Sequence, residues 1–237
     1  METKTRKIAK IRLMANREYE LEVVGRTDDA RGEVEAFARA SYRKVYGAEL
    51  NAFCTELLVL RDSSGNIASC VGINMGSAGR LFLEQYLDGS VEQEISSRLK
   101  KPVDRSKIAE VGTLATGHKG LCRLTIIGLA GLLKSRGIEH VVITGVKSVR
   151  NALGHLGVPV YHLAYATADR LEGDAGQWGS YYDASPEVVF MDMNLVCKGI
   201  GRAICQLNNE MTGALAMTMK GVLTRGIALE RRQARAA

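Results

Sequence analysis

The sequence has few features of a membrane-spanning, secreted or disulfide-stabilised protein. Its longest apolar run, residues 124–133, is bounded by Arg123 and Lys134 and falls well short of the ~20 residues that cross a bilayer. The five cysteines are an odd number without a Cys-x-x-Cys pair, which argues against a disulfide framework and a structural zinc site. The charged N-terminus shows no secretory signal. We therefore expect a cytoplasmic protein with no integral membrane segment and no metal.

Aromatic residues are scarce, at 5% of the 237 residues, so aliphatic side chains must supply most of the core. A hydrophobic fraction of 46% is ample for one folded domain. The net charge of +6 favours anionic partners such as nucleotides, phosphorylated donors or RNA. Much of the positive charge lies near the two ends of the chain, where basic runs are typical of solvated tails. No Gly-x-Ser-x-Gly segment is present, which excludes the hydrolase nucleophile elbow.

The middle of the chain has the order of a parallel β-α-β crossover. The pattern predicts a strand over residues 108–115, a basic glycine-containing turn over 117–123, an apolar helix over 124–134 and a second strand over 140–145. The unpaired backbone N–H groups at such a helix start can hold a phosphate. Glu110 lies in the strand before the turn, a layout that suits an enzyme with a phosphate-bearing donor.

The flanking segments predict the rest of the sheet. The expected elements are a strand over 19–24, a helix over 34–45 with Asp28 or Asp29 as its N-cap and Gly47 at its end, a hairpin of 56–61 with 67–73, helices over 91–99 and 149–156, and strands over 158–164 and 187–193. This order predicts a mostly antiparallel sheet with a parallel centre and helices on both faces. Residues 195–237 are expected to form a helical extension that packs on the same domain or on a dimer partner.

Several segments resemble the thermostable hemolysin family, whose members resemble GNAT-type acyltransferases and acyl-homoserine lactone synthases. The similar segments are YGAEL at 46–50, LFLEQYLD at 81–88, IAEVGTLA at 108–115, VRN at 149–151 and WGSYY at 178–182. The resemblance implies a GNAT-like α/β fold over residues 1–194, with a splayed central sheet, and it implies acyl transfer. The family name refers to cell lysis.

The resemblance leaves the acyl donor open. Common GNAT members carry Gln/Arg-x-x-Gly-x-Gly/Ala in the loop that binds the donor pyrophosphate, whereas residues 117–123 here keep basic charge and a glycine with different spacing. Acyl-CoA, an acyl carrier protein and an aminoacyl-tRNA are all anionic carriers that suit the basic chain. The expected reaction moves the acyl group to an amine of a small molecule, without a tightly bound cofactor.

Three side chains are candidates for catalysis. Glu110 can deprotonate the acceptor amine if burial raises its pKa, the alternative being a carboxylate paired with Arg or Lys. Glu84 can hold a cationic acceptor, the alternative being a helix or turn surface. The hydroxyl of Tyr182 can protonate the leaving group, the alternative being packing of a long loop.

Further candidates would bind the donor and the acceptor. The donor set is His118, Lys119, Gly120, Arg123, Arg150 and Asn151, acting through charge and backbone N–H groups. The alternatives are an ordinary basic loop and, for Asn151, a helix cap. The acceptor set is Asp88, Trp178 and Tyr181, the alternative for Trp178 being loop packing. Cys122 at the helix start is either an activated thiol nucleophile or a small buried residue.

Two other classes of function stay open. A cationic amphipathic segment over residues 211–223 would suit a membrane-active cytolysin, although the same pattern suits a packing or homodimer helix. A non-catalytic binding module on the same fold is the third possibility.

Overall fold

The computed structural model describes residues 6–13, 17–117 and 121–210. The described residues form one sheet, whose strands are β1 (Arg6–Leu13), β2 (Arg17–Val24), β3 (Glu56–Asp62), β4 (Ile67–Met75), β5 (Ile108–Thr116), β6 (His140–Gly145), β7 (Tyr161–Tyr165) and β8 (Glu187–Asp192). The strand order is β1-β2-β3-β4-β5-β6-β8-β7. Only β5 and β6 pair in parallel among these strands. The predicted mixed, mostly antiparallel sheet is therefore confirmed.

Helices cover both faces of the sheet. They are α1 (Arg31–Tyr46), α2 (Val91–Leu99), α3 (Leu121–Ser135), α4 (Lys147–His155) and α5 (Met193–Glu210). Successive side chains of a strand point to opposite faces: Leu58 of β3 packs with the α3 residues in one core cluster, whereas Val59 packs with Val34 of α1 in another. The same alternation in β5 places Ala109 in the α3 cluster and Ile108 in the cluster of α2.

The local predictions agree with the structure at the hairpin of β3 and β4, the β5-α3-β6 crossover and the end of α1, where Gly47 adopts a φ of 67°. Two predictions are wrong. The N-cap of α1 is Ala30, because the Asp28 carboxylate instead accepts a hydrogen bond from the Gly25 N–H at 2.8 Å. Residues 6–13 are a strand rather than a tail, because β1 pairs with β2 and Lys7 donates to Glu20 at 2.6 Å.

The helix α5 crosses the predicted boundary between residues 194 and 195. Its Val196 and Ile200 are buried in the core cluster that also contains α3, so this part of the extension packs on the sheet domain. Residues 211–237, including the segment considered for membrane binding, lie outside the described residues. Within the described ranges, no helix combines the length and the apolarity needed to cross a membrane.

Candidate active site

The parallel strands separate at the centre of the sheet. Pairing runs from Ile108 with His140 to Val111 with Ile143 and stops there, although β5 continues to Thr116. On its other edge β5 carries a bulge, because the register with β4 shifts between Cys70–Ala115 and Gly72–Gly112. Within the bulge Thr113 has a φ of 50°, which for a residue other than glycine costs about 1–3 kcal/mol. Strain of this kind is concentrated at functional sites.

A cavity of about 100 Å³ opens at this separation, on the sheet face that α1 covers. We call it the aromatic cavity, because five ring side chains line it: Tyr42, Phe82, Tyr86, Trp178 and Tyr181. Its polar lining includes Glu110, Asn74 and Thr144. The Thr144 hydroxyl oxygen is buried without a hydrogen-bond partner in the described part of the chain. A ligand with polar and flat apolar parts would satisfy this lining.

Glu110 is the buried carboxylate of the aromatic cavity, with 4% of its surface exposed. Its Oε2 accepts hydrogen bonds from the Asn74 side chain at 2.9 Å and from the Phe82 N–H at 3.0 Å. Its Oε1 accepts one from the Leu83 N–H at 2.8 Å. Asn74 is itself fixed, because its Oδ1 accepts from the Thr55 N–H and hydroxyl. These contacts hold the carboxylate in one orientation.

Burial raises the pKa of Glu110 above its usual value, and the hydrogen bonds from Asn74 and the two backbone amides oppose this rise only in part. A carboxylate with a raised pKa is a stronger base when ionised. The alternative reading, a carboxylate paired with Arg or Lys, is not seen among the described contacts of Glu110.

The aromatic walls are held together by ring contacts. Trp178 lies 5.9 Å from Phe82 and 5.3 Å from Tyr181 between ring centroids. The Tyr181 hydroxyl donates to the Thr144 carbonyl at 3.1 Å, which ties the long loop to β6. Two of the three predicted acceptor residues, Trp178 and Tyr181, line the cavity.

Tyr182 does not line the cavity but lies behind its walls, in contact with Tyr86 and with the rings of Trp178 and Tyr181. The hydroxyls of Tyr86 and Tyr182 are 2.7 Å apart, and it is Tyr86 that lines the cavity. Burial raises the pKa of both phenols, so both stay protonated and can donate at neutral pH. Sequence reasoning missed Tyr86, although it lies between the two acidic candidates Glu84 and Asp88.

Glu84 has surroundings that suit a structural role. Its two oxygens each accept from the Arg105 guanidinium at 2.7 Å, and they also accept from the backbone N–H groups of Leu81 and Val91. Burial by itself would raise the pKa of Glu84, but Arg105 and the two amides outweigh it and lower the pKa to about 2. A carboxylate with so low a pKa is a weak base. The arrangement favours anchoring of the segment 82–86 over the predicted catalytic role.

Other predicted residues have partners elsewhere. Asp88 is exposed and bonds to Arg170 at 2.7 Å. The Arg150 guanidinium pairs with Glu187 at 2.7 Å and donates to the Gly145 carbonyl at 2.6 Å. Asn151 is exposed inside α4, whose N-cap is Val146, so the alternative of a cap is wrong. These contacts do not place Asp88, Arg150 or Asn151 in the lining of the aromatic cavity.

The predicted phosphate loop is only partly described. His118, Lys119 and Gly120 lie outside the described residues, and Arg123 is exposed in the first turn of α3. Cys122 is half-buried, and burial raises the pKa of its thiol, contrary to the lowered pKa considered from its position. Burial also raises the pKa of Cys54, which lines the aromatic cavity, to about 12. Neither thiol is activated as a nucleophile.

A second cavity lies on the opposite face of the sheet, between α3, α4, α5 and the strands. It measures about 70 Å³, and apart from Thr125 its lining is apolar, including Val111, Leu129, Ala130, Leu153 and Val196. We call it the apolar cavity. Val111, the last residue of the parallel pairing, lines both cavities, so each cavity reaches the point where the strands separate.

Comparison with known proteins identifies similar sequences and folds. The family model described as "Thermostable hemolysin" matches residues 24–197. The apo structure of TofI has a TM-score of 0.53 and 13% identity, and the match covers 76% of this chain and 95% of that chain. The structure of TofI with an inhibitor and MTA gives 0.50 and 12%, covering 76% and 96%. The AHL synthase LasI gives 0.50 and 14%, covering 74% and 90%. A search of curated proteins gives no match.

At these identities the solved structures establish the fold alone. Together with the sheet topology they confirm the predicted GNAT-like fold.

Proposed function

The chain belongs to the thermostable hemolysin family, and from this membership and the site geometry we propose that it is an acyltransferase that moves an acyl group from an activated carrier to an amine of a small molecule. The observation that carries the proposal is a pair of cavities on opposite faces of the sheet that share Val111 in their linings. One contains a buried carboxylate and suits an amine, and the other is apolar and suits an acyl chain. The similarity to the AHL synthase LasI supports the same assignment at the level of the fold.

In the proposed reaction the acceptor nitrogen attacks the carbonyl carbon of the acyl donor. Glu110 takes the proton that the nitrogen loses, and the bond between the carbonyl carbon and the carrier sulfur or oxygen breaks. Backbone N–H groups of β5 beyond Val111, where pairing with β6 has ended, would stabilise the oxyanion. The hydroxyl pair of Tyr86 and Tyr182 would give a proton to the leaving group and recover it from the proton that Glu110 has taken, so that protons and electrons balance.

The donor carrier is proposed to bind at the start of α3, through His118, Lys119, Gly120 and Arg123. Arg123 is exposed there, and a helix start favours phosphate groups. Acyl-CoA, an acyl carrier protein and an aminoacyl-tRNA remain the candidate donors.

Donor binding is the experiment that tests this function. The protein is titrated at low and moderate salt with acyl-CoA, acyl carrier protein and aminoacyl-tRNA, and transfer to amines is then followed by mass spectrometry. We expect saturable binding of one carrier, weakened by Arg123→Glu and by Lys119→Glu. The control Arg98→Glu changes the same charge on the exposed surface of α2 and should leave binding unchanged. Binding of none of these carriers would contradict the proposal.

The apolar cavity gives a prediction about the acyl chain. Ala130→Met places a longer side chain into a cavity of about 70 Å³, so long acyl chains should lose their space while an acetyl group keeps it. Since each buried methylene contributes about 0.8 kcal/mol, we expect kcat/KM for a six-carbon or longer donor to fall at least ~10-fold relative to an acetyl donor. The control is Ala36→Met on the exposed face of α1. An unchanged ratio would remove the apolar cavity from the acyl site.

A further inference from the structure

The aromatic cavity holds an unusual share of the chain's rings. The sequence has one tryptophan, four phenylalanines and eight tyrosines, and five of these residues line this cavity, with Tyr182 bonded directly behind Tyr86. Ring faces attract cations when an ammonium group lies within about 6 Å of the centroid. The walls therefore suit a ligand that combines a cationic nitrogen with an apolar body.

Glu110 is the only formally charged side chain in the described lining, which contains no Lys, Arg or His. The buried cation behind the cavity, Arg31, is already engaged: it donates to the Cys54 carbonyl at 2.7 Å and to Glu35 at 2.7 Å. A ligand carboxylate would therefore enter a desolvated site beside a like charge, with no cation to pair with in the described lining. This composition selects against carboxylates.

Glu110 also has acceptor capacity left on one of its two oxygens. Each carboxylate oxygen can accept two hydrogen bonds. Oε2 accepts from Asn74 and Phe82, whereas Oε1 accepts one described bond, from Leu83. An ammonium N–H can occupy the second position on Oε1.

Building on the proposed acyl transfer, we propose that the acceptor is a simple amine with an apolar or aromatic body and no carboxylate beside its nitrogen, bound to Glu110 between the rings of the aromatic cavity. Amino acids, which carry a carboxylate on the carbon next to the nitrogen, are thereby excluded as good acceptors. Neutral alcohols of equal shape should bind more weakly than the amine, because they lack the positive charge that Glu110 and the rings attract.

A matched set of probes tests this specificity without any donor. Phenethylamine, phenylalanine and phenethyl alcohol share one ring and differ in charge, and butylamine and norvaline form the aliphatic pair. Calorimetric titration should give a dissociation constant for phenethylamine at least ~10-fold lower than for phenylalanine and phenethyl alcohol, since a hydrogen bond between charged groups is stronger than a neutral one. Butylamine should likewise have a dissociation constant at least ~10-fold lower than that of norvaline.

Two variants locate the binding site. Glu110→Gln should abolish the preference for phenethylamine over phenethyl alcohol, and Trp178→Leu should weaken the aromatic amine more than butylamine. The control Glu139→Gln changes an exposed carboxylate and should leave all constants unchanged.

The outcomes separate this inference from the proposed function. Equal or tighter binding of phenylalanine, or no binding of either amine at millimolar concentration, would overturn the amine specificity even if acyl transfer to another acceptor is observed. Selective amine binding without transfer from any carrier would uphold the specificity and contradict the acyltransferase.

Discussion

Glu110→Gln should lower the turnover of acyl transfer by about two to four orders of magnitude, the usual contribution of a general base. The substituted amide has nearly the same shape but cannot take the proton of the attacking amine. The measurement is kcat with saturating donor and amine, on protein whose folded fraction is known from circular dichroism. Glu139→Gln is the matched control, because Glu139 is exposed and lies outside both cavities.

The substitution also affects stability, because the glutamine NH₂ must face a backbone or side-chain donor that now bonds to Glu110. An unsatisfied buried donor costs about 1–3 kcal/mol. Turnover is therefore compared at a temperature where both proteins are folded. Unchanged turnover in folded Glu110→Gln would remove Glu110 from the mechanism.

The pH dependence of activity is an independent test of Glu110 as the base. A base must be ionised, so activity should rise with pH through the pKa of Glu110, which burial raises above that of an ordinary glutamate. The acidic limb should be absent in Glu110→Gln. The free energy of unfolding depends on pH in the opposite direction. Because the folded state binds the Glu110 proton more tightly than the unfolded state, the contribution of Glu110 to stability decreases as pH rises between the ordinary and the raised pKa.

Glu84→Gln should produce the largest loss of stability, about 3 kcal/mol or more, because it breaks a buried ion pair from one side. The amide keeps one oxygen, so Arg105 would lose one of its two bonds to residue 84 while keeping its bond to Glu92. One of the backbone amides of Leu81 and Val91 would then face a donor. Urea denaturation measures the free energy of unfolding. The control Glu172→Gln removes one charge of an exposed pair with Arg80 and should cost less than about 1 kcal/mol.

The pH dependence of stability further distinguishes Glu84→Gln from the unchanged protein. The pKa of Glu84 is lowered to about 2 from 4.5, so its contribution is fully present above pH 4.5 and is lost as pH falls toward 2. Glu84→Gln should lose this part of the acid transition. Turnover per folded molecule should stay close to that of the unchanged protein. A large fall in turnover with unchanged stability would instead restore the catalytic role predicted from the sequence.

Much of the fold follows from local patterns. The strand and helix periodicities predict the hairpin of β3 and β4, the β5-α3-β6 crossover and the end of α1 at Gly47, because alternation and helical spacing record which face of each element is buried. The basic strand β1 escapes this reasoning. Its pairing with β2 supplies the partner groups that make an extended charged segment a strand.

The candidate site also has features that the sequence predicts and features that only tertiary contacts determine. The position of Glu110 in a strand before a basic loop is visible in the sequence, and so is the aromatic content of residues 178–182. The roles of Glu84 and Arg150 are not visible, because their partners Arg105 and Glu187 are distant in the sequence and are brought near by the sheet. Tyr42, Asn74 and Thr144 enter the lining for the same reason.

The sequence by itself thus determined the order of the elements, the parallel centre of the sheet and the strand that carries the candidate base, since each depends on residues close in the chain. Only the tertiary structure decided that Glu110 lines a cavity and that Glu84 forms an ion pair with Arg105. It also decided that a polar cavity and an apolar cavity lie on opposite faces of the sheet and share Val111 in their linings. Both lie where β5 separates from β6, and this separation arises from pairing and packing between distant segments that no local pattern records.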